Sequence, residues 1–218
     1  MTDQPADPTS PAESAPAPHR APMTDTQIRA MVVGEIEPAS GPIEPLSRQI
    51  VLVDHDPAWP HLYAREEARV RSVLGDRVVR IEHTGSTSVP GLAAKPIVDI
   101  AMTVPDVTDE PAYIPDLEAA GYVLRIRESE PDWYDHRVFK GPDTNINLHT
   151  FSAGCVELER MVGFRDWLRA HDDDRELYES TKRDLAKREW KFVQNYADAK
   201  SEVVDAITER AGLPGPHP

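Results

Sequence analysis

Gly85 is followed by three hydroxyl side chains, Ser86, Thr87 and Ser88, and after twelve more residues past Ser86 comes a lone carboxylate, Asp99. Glycine lets a backbone turn with positive φ and approach a ligand closely. The amides and hydroxyls that follow it can form a small anion-binding concavity. A carboxylate nearby is a metal ligand, a base or the partner of a cation. Around Asp99 the chain alternates: Val98, Ile100, Met102 and Val104 on one side, Ile97, Asp99, Ala101 and Thr103 on the other. That period of two is a strand, and it puts Asp99 on the less apolar face, opposite a core face. A carboxylate inside a strand needs partners or water, because an unpaired buried charge is very costly. The plainer reading is a structural aspartate that caps a turn or pairs with an arginine.

Other residues could join such a site. His83 ends the strand before the turn, Glu82 precedes it, and Lys95 lies between turn and aspartate. On the strand Asn145–Phe151, alternation places Asn145, Asn147 and His149 on one face. A strand histidine is most simply hydrogen-bonded structure; as a ligand it suits Mn²⁺ or Zn²⁺ better than Mg²⁺. Arg137, mid-strand, is expected on the site side, where it would offset Asp99 or clamp phosphate. Near the C-terminus Tyr178 and Lys182, and again Tyr196 and Lys200, stand four residues apart on one helix face. Each pair reads as a tyrosine stacking on a base or sugar with lysine near phosphate, or as a core tyrosine under a lysine stem.

The elements that must carry these residues follow from periodicity and breakers. "RQIVLVDHD" reads as a strand. Asp56-Pro57 reads as a helix start, with Trp59, Leu62, Tyr63, Val70, Val73 and Leu74 at helical spacing up to Leu74. "RVVRIEH" and "PIVDIAMTV" are strands on either side of the Gly-Ser turn. A helix around 115–120 ends at Gly121, and "YVLRIRE", "WYDHRVFK" and "NINLHTF" are further strands. After Gly154 the pattern becomes helical, over about 157–170, 173–189 and 191–210, with Asp172–Asp174 as an acidic helix N-terminus. This is an α+β chain: a sheet domain over 47–155 and a helical region over 156–212.

Residues 1–46 form a separate segment. The first 22 residues hold six prolines and, after Met1, no large apolar side chain, too little apolar surface to offset ordering entropy, so a disordered tail is expected. A short helix over "TDTQIRAMVVGEIEP" is broken again by "EPASGPIEP". Net charge is −14, of which −5 falls on residues 1–46. An acidic domain does not favour a nucleic-acid backbone, which is bound by Lys/Arg neutralisation; a small anionic ligand needs only a local site. No apolar run approaches the roughly 18–20 residues of a membrane span, the start lacks the pattern of a secretory signal, and the one cysteine, Cys155, rules out an internal disulfide and a cysteine zinc cluster. Cytoplasmic residence, no nucleic acid and no membrane are the expectations.

The 20-residue stretch "IEHTGSTSVPGLAAKPIVDI" resembles the signature of the GrpB family, a branch of the nucleotidyltransferase superfamily. The resemblance runs from about Ile50 to Ile207 and takes in "VDHDPAWPHLYAREEARV", "LHTF" and "FRDWLRAHDDDRELYESTKRDLAKREW". It implies a nucleotidyltransferase-like mixed sheet flanked by helices, with triphosphate held by Gly85, Ser86, Thr87 and Ser88 and divalent metal held by an Asp-x-Asp pair starting at Asp99. The chain departs from that pattern: the second carboxylate position is Ala101, and the later strand carries Asn145, Asn147 and His149 where an acid would stand. One aspartate cannot hold two Mg²⁺ ions. Three possibilities stay open: one Mg²⁺ or Mn²⁺ on Asp99 with Glu82 or His149, metal-free catalysis, or nucleotide binding alone. The resemblance implies transfer of a nucleotidyl or activated group from a nucleoside triphosphate to an unknown small molecule; an interaction module and ligation through an acyl-adenylate are the alternatives. Some GrpB-type domains are fused to a dephospho-CoA kinase, but "GLAAKP" lacks the second glycine and terminal hydroxyl of a P-loop, so kinase activity is not expected.

Overall fold

The computed structural model describes residues 50–129, 134–190 and 193–215. Among them five strands, β1 (Arg80–Thr84), β2 (Val98–Val104), β3 (Val123–Glu128), β4 (His136–Lys140) and β5 (Ile146–Ser152), form one mixed sheet in the order β1-β2-β5-β4-β3. β2 and β5 are parallel and the other pairs antiparallel. The expected α+β class, a mixed sheet flanked by helices, is what the chain forms. The expected tail over 1–46, its short helix, Trp133 and Phe192 lie outside the described residues.

One face of the sheet is covered by α1 (Trp59–Leu74) and the short α2 (Ile114–Ala119). Trp59, Val70 and Leu74 pack there against Val98, Ile100, Met102 and Leu148, as the helical and strand periods require. Gly121, at φ +88°, closes α2. The other face is covered by α3 (Val156–Ala170), where Ala101 and Phe151 meet Leu158 and Val162. Both faces are therefore covered along the middle of the sheet, while Asp99, near the start of β2, lines a cavity.

Two expectations change. The strand expected for "RQIVLVDHD" does not form over its described part, 50–56: Val53 makes an isolated bridge to Ala94, with 2.9 Å bonds in both directions. Its apolar residues are used elsewhere, since Ile50 and Leu52 pack against Leu185 and Tyr196. The last helix is two, α5 (Val193–Asp198) and α6 (Ser201–Arg210), after α4 (Asp172–Ala186). The break lets Tyr196 enter the cluster of Ile50 and Leu185 while Ile207 enters a different one with Val89, Leu92, Leu168 and Tyr178. Through that second cluster the C-terminal helices clamp the chain after the Gly-Ser turn onto the sheet domain.

Candidate functional site

β1 ends at Thr84, and Gly85 turns the chain at φ +65° into a single 3-10 turn, Ser86–Ser88. Left-handed φ is one reason for glycine. Space is the other: a Cβ on Gly85 would lie 2.9 Å from the Cβ of Asp99. The turn is thus folded directly against the aspartate, as Thr84 and Asp99 are register partners. The turn's hydroxyls have separate fates. Ser88 Oγ donates to Gly85 O at 2.6 Å, Thr87 Oγ1 pairs with His83 Nε2 at 3.1 Å, and Ser86 Oγ accepts from Lys182 Nζ at 3.0 Å. Ser88 also loses its carbonyl to Arg169, at 2.7 Å, so it closes the turn instead of facing a ligand.

Beside the turn lies a cavity of about 130 Å³ lined by Gly85, Ser86, Thr87, Lys95, Asp99 and Asn147, and closed by Tyr178, Lys182, Tyr196 and Lys200 from the C-terminal helices. At the roughly 30 Å³ that a water occupies in the liquid, it has room for about four waters. The sequence-predicted lysines and tyrosines are all brought together here. Both readings of the Tyr/Lys pairs apply at once: the rings are buried, yet they form the wall. Lys182 stands 4.7 Å from the Tyr178 ring, and Lys200 and Lys95 stand 4.9 and 5.5 Å from that of Tyr196. The Tyr196 hydroxyl is buried without a hydrogen-bond partner among the described residues.

Crowding of like charge in a partly closed site has the expected effect. Burial, with Lys200 adding repulsion, pushes Lys182 down to about 7. Burial and Lys200 push Lys95 down to about 8, Asp99 opposing. Burial also lowers Lys140, which donates to Asn147 Oδ1 at 2.6 Å. Asp99 is the one acid on the wall. Burial would raise it, but the imidazole of His149, the Asn147 amide at 2.7 Å and the charge of Lys95 outweigh that and hold it below the ordinary carboxylate range.

His149 presents Nε2 at 3.8 Å from Asp99 Oδ1. Its Nδ1 is 3.1 Å from His136 Nε2, the two rings stacked at 5.2 Å, and His136 Nδ1 is 3.3 Å from Glu128 Oε2. His83 faces the other way, stacked on Tyr63 at 5.0 Å, and burial pushes it down to about 4. Lys140, His136 and Glu128 are contributions that sequence reasoning missed. Alternation puts His136 and Lys140 on one face of β4, but only the β3-β4-β5 register shows what stands beside them.

Two site expectations are not met. Arg137 does not reach Asp99: its register partner is Thr150, which places it on the opposite face, 4% exposed, with Nε 2.7 Å from Glu110 and a bond to Glu128 O. Glu82 shares the Asp99 face but is held by Arg165 at 2.9 Å and Arg80 at 3.1 Å. Ala101, the empty carboxylate position, is fully buried against Phe151 and Leu158. Among the described residues no three His, Cys, Asp or Glu side chains gather where a metal could sit. One carboxylate among lysines does not fit a two-metal site.

A family model described as "GrpB protein" matches residues 49–210. The chain belongs to the GrpB family. It is 55% identical over 190 residues to the UPF0157 protein BH1888 of Halalkalibacterium halodurans, covering 87% of this chain and 93% of that one. Another GrpB relative, the glutamate-rich protein GrpB of Alkalihalophilus pseudofirmus, is 28% identical over 73% of this chain and 94% of its own. The crystal structure of the conserved protein GrpB from Enterococcus faecalis superposes with a TM-score of 0.64 at 26% identity, over 74% of this chain and 96% of that one. A dephospho-CoA kinase of Mycolicibacterium paratuberculosis matches at 31% identity, but over only 40% of its length. Among the described residues no helix is long and apolar enough to cross a membrane.

Proposed function

We propose that this GrpB protein binds the phosphates of a nucleoside triphosphate in the lysine-lined cavity, in the cytoplasm, and transfers a nucleotidyl or other activated group to a small-molecule acceptor held at Asp99. The observation that carries the reading is convergence: in a chain of net charge −14, Lys95, Lys182 and Lys200 line one cavity with Ser86. Buried ammonium groups crowded together are costly, and an anion among them relieves that cost. The lysines supply the positive charge that metals supply in a two-metal site. Asp99 stands at the cavity wall, where an acceptor would have to lie, and His149 Nε2 stands 3.8 Å behind it. The buried alanine at position 101 favours a second reading, in which nucleotide is bound without transfer.

Calorimetric titration with ATP, ADP and inorganic triphosphate tests the first step. Lys182→Met and Lys200→Gln are expected to weaken ATP binding roughly 10- to 100-fold, the worth of one charge-assisted hydrogen bond. If both variants bind ATP as the parent protein does, or the parent binds no phosphate at all, the reading fails. Consumption of ATP in a metabolite extract, lost in Asp99→Asn, separates transfer from binding alone.

A further inference from the structure

The polar groups behind the cavity form a line across four adjacent strands. Asp99 is on β2, His149 on β5, His136 on β4 and Glu128 on β3. Register explains it: His149 is opposite Ala101 on β2 and Val138 on β4, and Glu128 is opposite His136. All four side chains therefore point to the same face. The line starts at the cavity and ends in the interior, where Glu128 is 6% exposed. Phe151 stacks on His136 at 4.6 Å and Tyr134 meets it edge-on, so the ring cannot swing away without losing both contacts. Hydrogen bonds of 3.1 and 3.3 Å join the inner three residues, whereas the 3.8 Å between His149 Nε2 and Asp99 Oδ1 is too long for one.

Proton positions follow from these partners. A carboxylate only accepts, so Glu128 takes the proton of His136 Nδ1. Burial pushes His136 down, which keeps its ring neutral and leaves Nε2 with a lone pair. That lone pair accepts from His149 Nδ1–H, and the free lone pair of His149 is then on Nε2, which faces Asp99, a residue of the cavity wall.

We propose that Glu128 and His136 are positioning residues that hold His149 in its Nδ1–H tautomer, so that Nε2 is the base that takes the proton of an acceptor hydroxyl. The inference rests on the reading of the cavity as a triphosphate site. In the step, the acceptor O–H bond breaks and its proton moves to His149 Nε2. The oxygen forms a bond to the α-phosphorus, and pyrophosphate leaves with the electron pair of the broken P–O bond. The imidazolium that results is flanked by Asp99 on one side and, through His136, by Glu128 on the other, the arrangement that stabilises a histidine base in acyl and phosphoryl transfer.

Nitrogen-15 NMR of histidine-labelled protein, without ligand, reads the tautomers directly. The parent protein is expected to show His149 and His136 both protonated at Nδ1. In His136→Phe the stack on Phe151 remains but the bond to His149 is lost, and His149 is expected to turn to the Nε2–H form, donating to Asp99. A parent spectrum with His149 protonated at Nε2, or an unchanged tautomer in His136→Phe, overturns the proposal; should the variant not fold, the parent spectrum decides alone. ATP titration of His136→Phe keeps the two readings apart: its affinity is expected to match the parent's, because the lysine wall is intact. A parent His149 protonated at Nε2, or an unchanged tautomer in His136→Phe, with ATP binding retained sinks the relay only, and absence of ATP binding in the parent sinks the cavity reading only.

Discussion

At the scale of residues, Asp99 and Ala101 divide the superfamily pattern between them. Asp99 keeps contacts on every side: the Gly85 turn, Asn147 at 2.7 Å and His149 at 3.8 Å. Ala101, two residues along the same face, points beneath α3 and is fully buried against Phe151, Leu158 and Val162. Restoring the second carboxylate by Ala101→Asp would therefore not rebuild a metal pair. It would place an unpaired charge in an apolar cluster, and a loss of about 3–5 kcal/mol is expected. Urea unfolding measures that loss. Should Ala101→Asp instead keep parent stability and gain stability on adding Mg²⁺, the β2 wall is a vacated metal site after all.

At the scale of elements, α1 is fixed to the sheet domain by a carboxylate that its amphipathic pattern does not announce. Glu66 is fully buried on the core side of the helix. It accepts from Tyr122 Oη at 2.7 Å, from Thr144 Oγ1 at 2.6 Å and from Arg69 Nη1 at 3.2 Å. One side chain thus ties α1 to the residue that follows Gly121 and to the loop before β5. Glu66→Ala would leave the buried Tyr122 hydroxyl unpaired, open a cavity and take one of two carboxylate partners from Arg69, which keeps Asp143 at 2.8 Å; about 3 kcal/mol or more of stability should be lost. Glu66→Gln, which can still accept from a hydroxyl, should lose about 1–3 kcal/mol. Equal stability of all three proteins in denaturant would show the network to be dispensable. The cavity, some distance along the sheet, should bind ATP alike in all three, since none of its wall is touched.

At the scale of the whole molecule, the acidic surface and the basic cavity make ligand binding sensitive to pH. Lys182 is held near 7 and Lys95 near 8, against 10.5 for an ordinary lysine. A bound phosphate favours the ammonium form, so each lysine has a higher pKa in the complex than in the free protein. Between the two values the complex holds more protons, and binding takes protons up. Affinity for inorganic triphosphate should thus be flat below about pH 6. Above pH 7 to 8 it should weaken by up to about one log unit per pH unit for each lysine involved. Titration calorimetry in two buffers of different ionisation enthalpy should report proton uptake at pH 8. Proton release, or an affinity that rises with pH, would contradict charge pairing with these lysines.

Much of this was legible in the chain itself. The alternation of Val98, Ile100, Met102 and Val104, the helical spacing from Trp59 to Leu74 and the Gly85 turn each report a local rule: a period, a cap or a φ angle that only glycine takes freely. Local rules act between residues close in sequence, so the sequence determined β2, α1, the turn and the place of Asp99 beside it. It also supplied the four-residue spacing that puts Lys182 over Tyr178 and Lys200 over Tyr196. What it did not determine depends on residues far apart. Arg137 and His136 are neighbours on β4, yet one is on the core face paired with Glu110 and the other belongs to the line behind Asp99. The alternation separates them, but which face meets the cavity is set by the pairing of β4 with β5. Likewise the break at Lys200 and the absence of a strand over 50–56 follow from where Tyr196, Ile50 and Leu52 find buried partners. Register and long-range packing are properties of the assembled sheet, because a one-residue shift in pairing exchanges every side chain between faces. Only the tertiary structure decided that three lysines and one aspartate face a single cavity, with a line of histidines behind the aspartate.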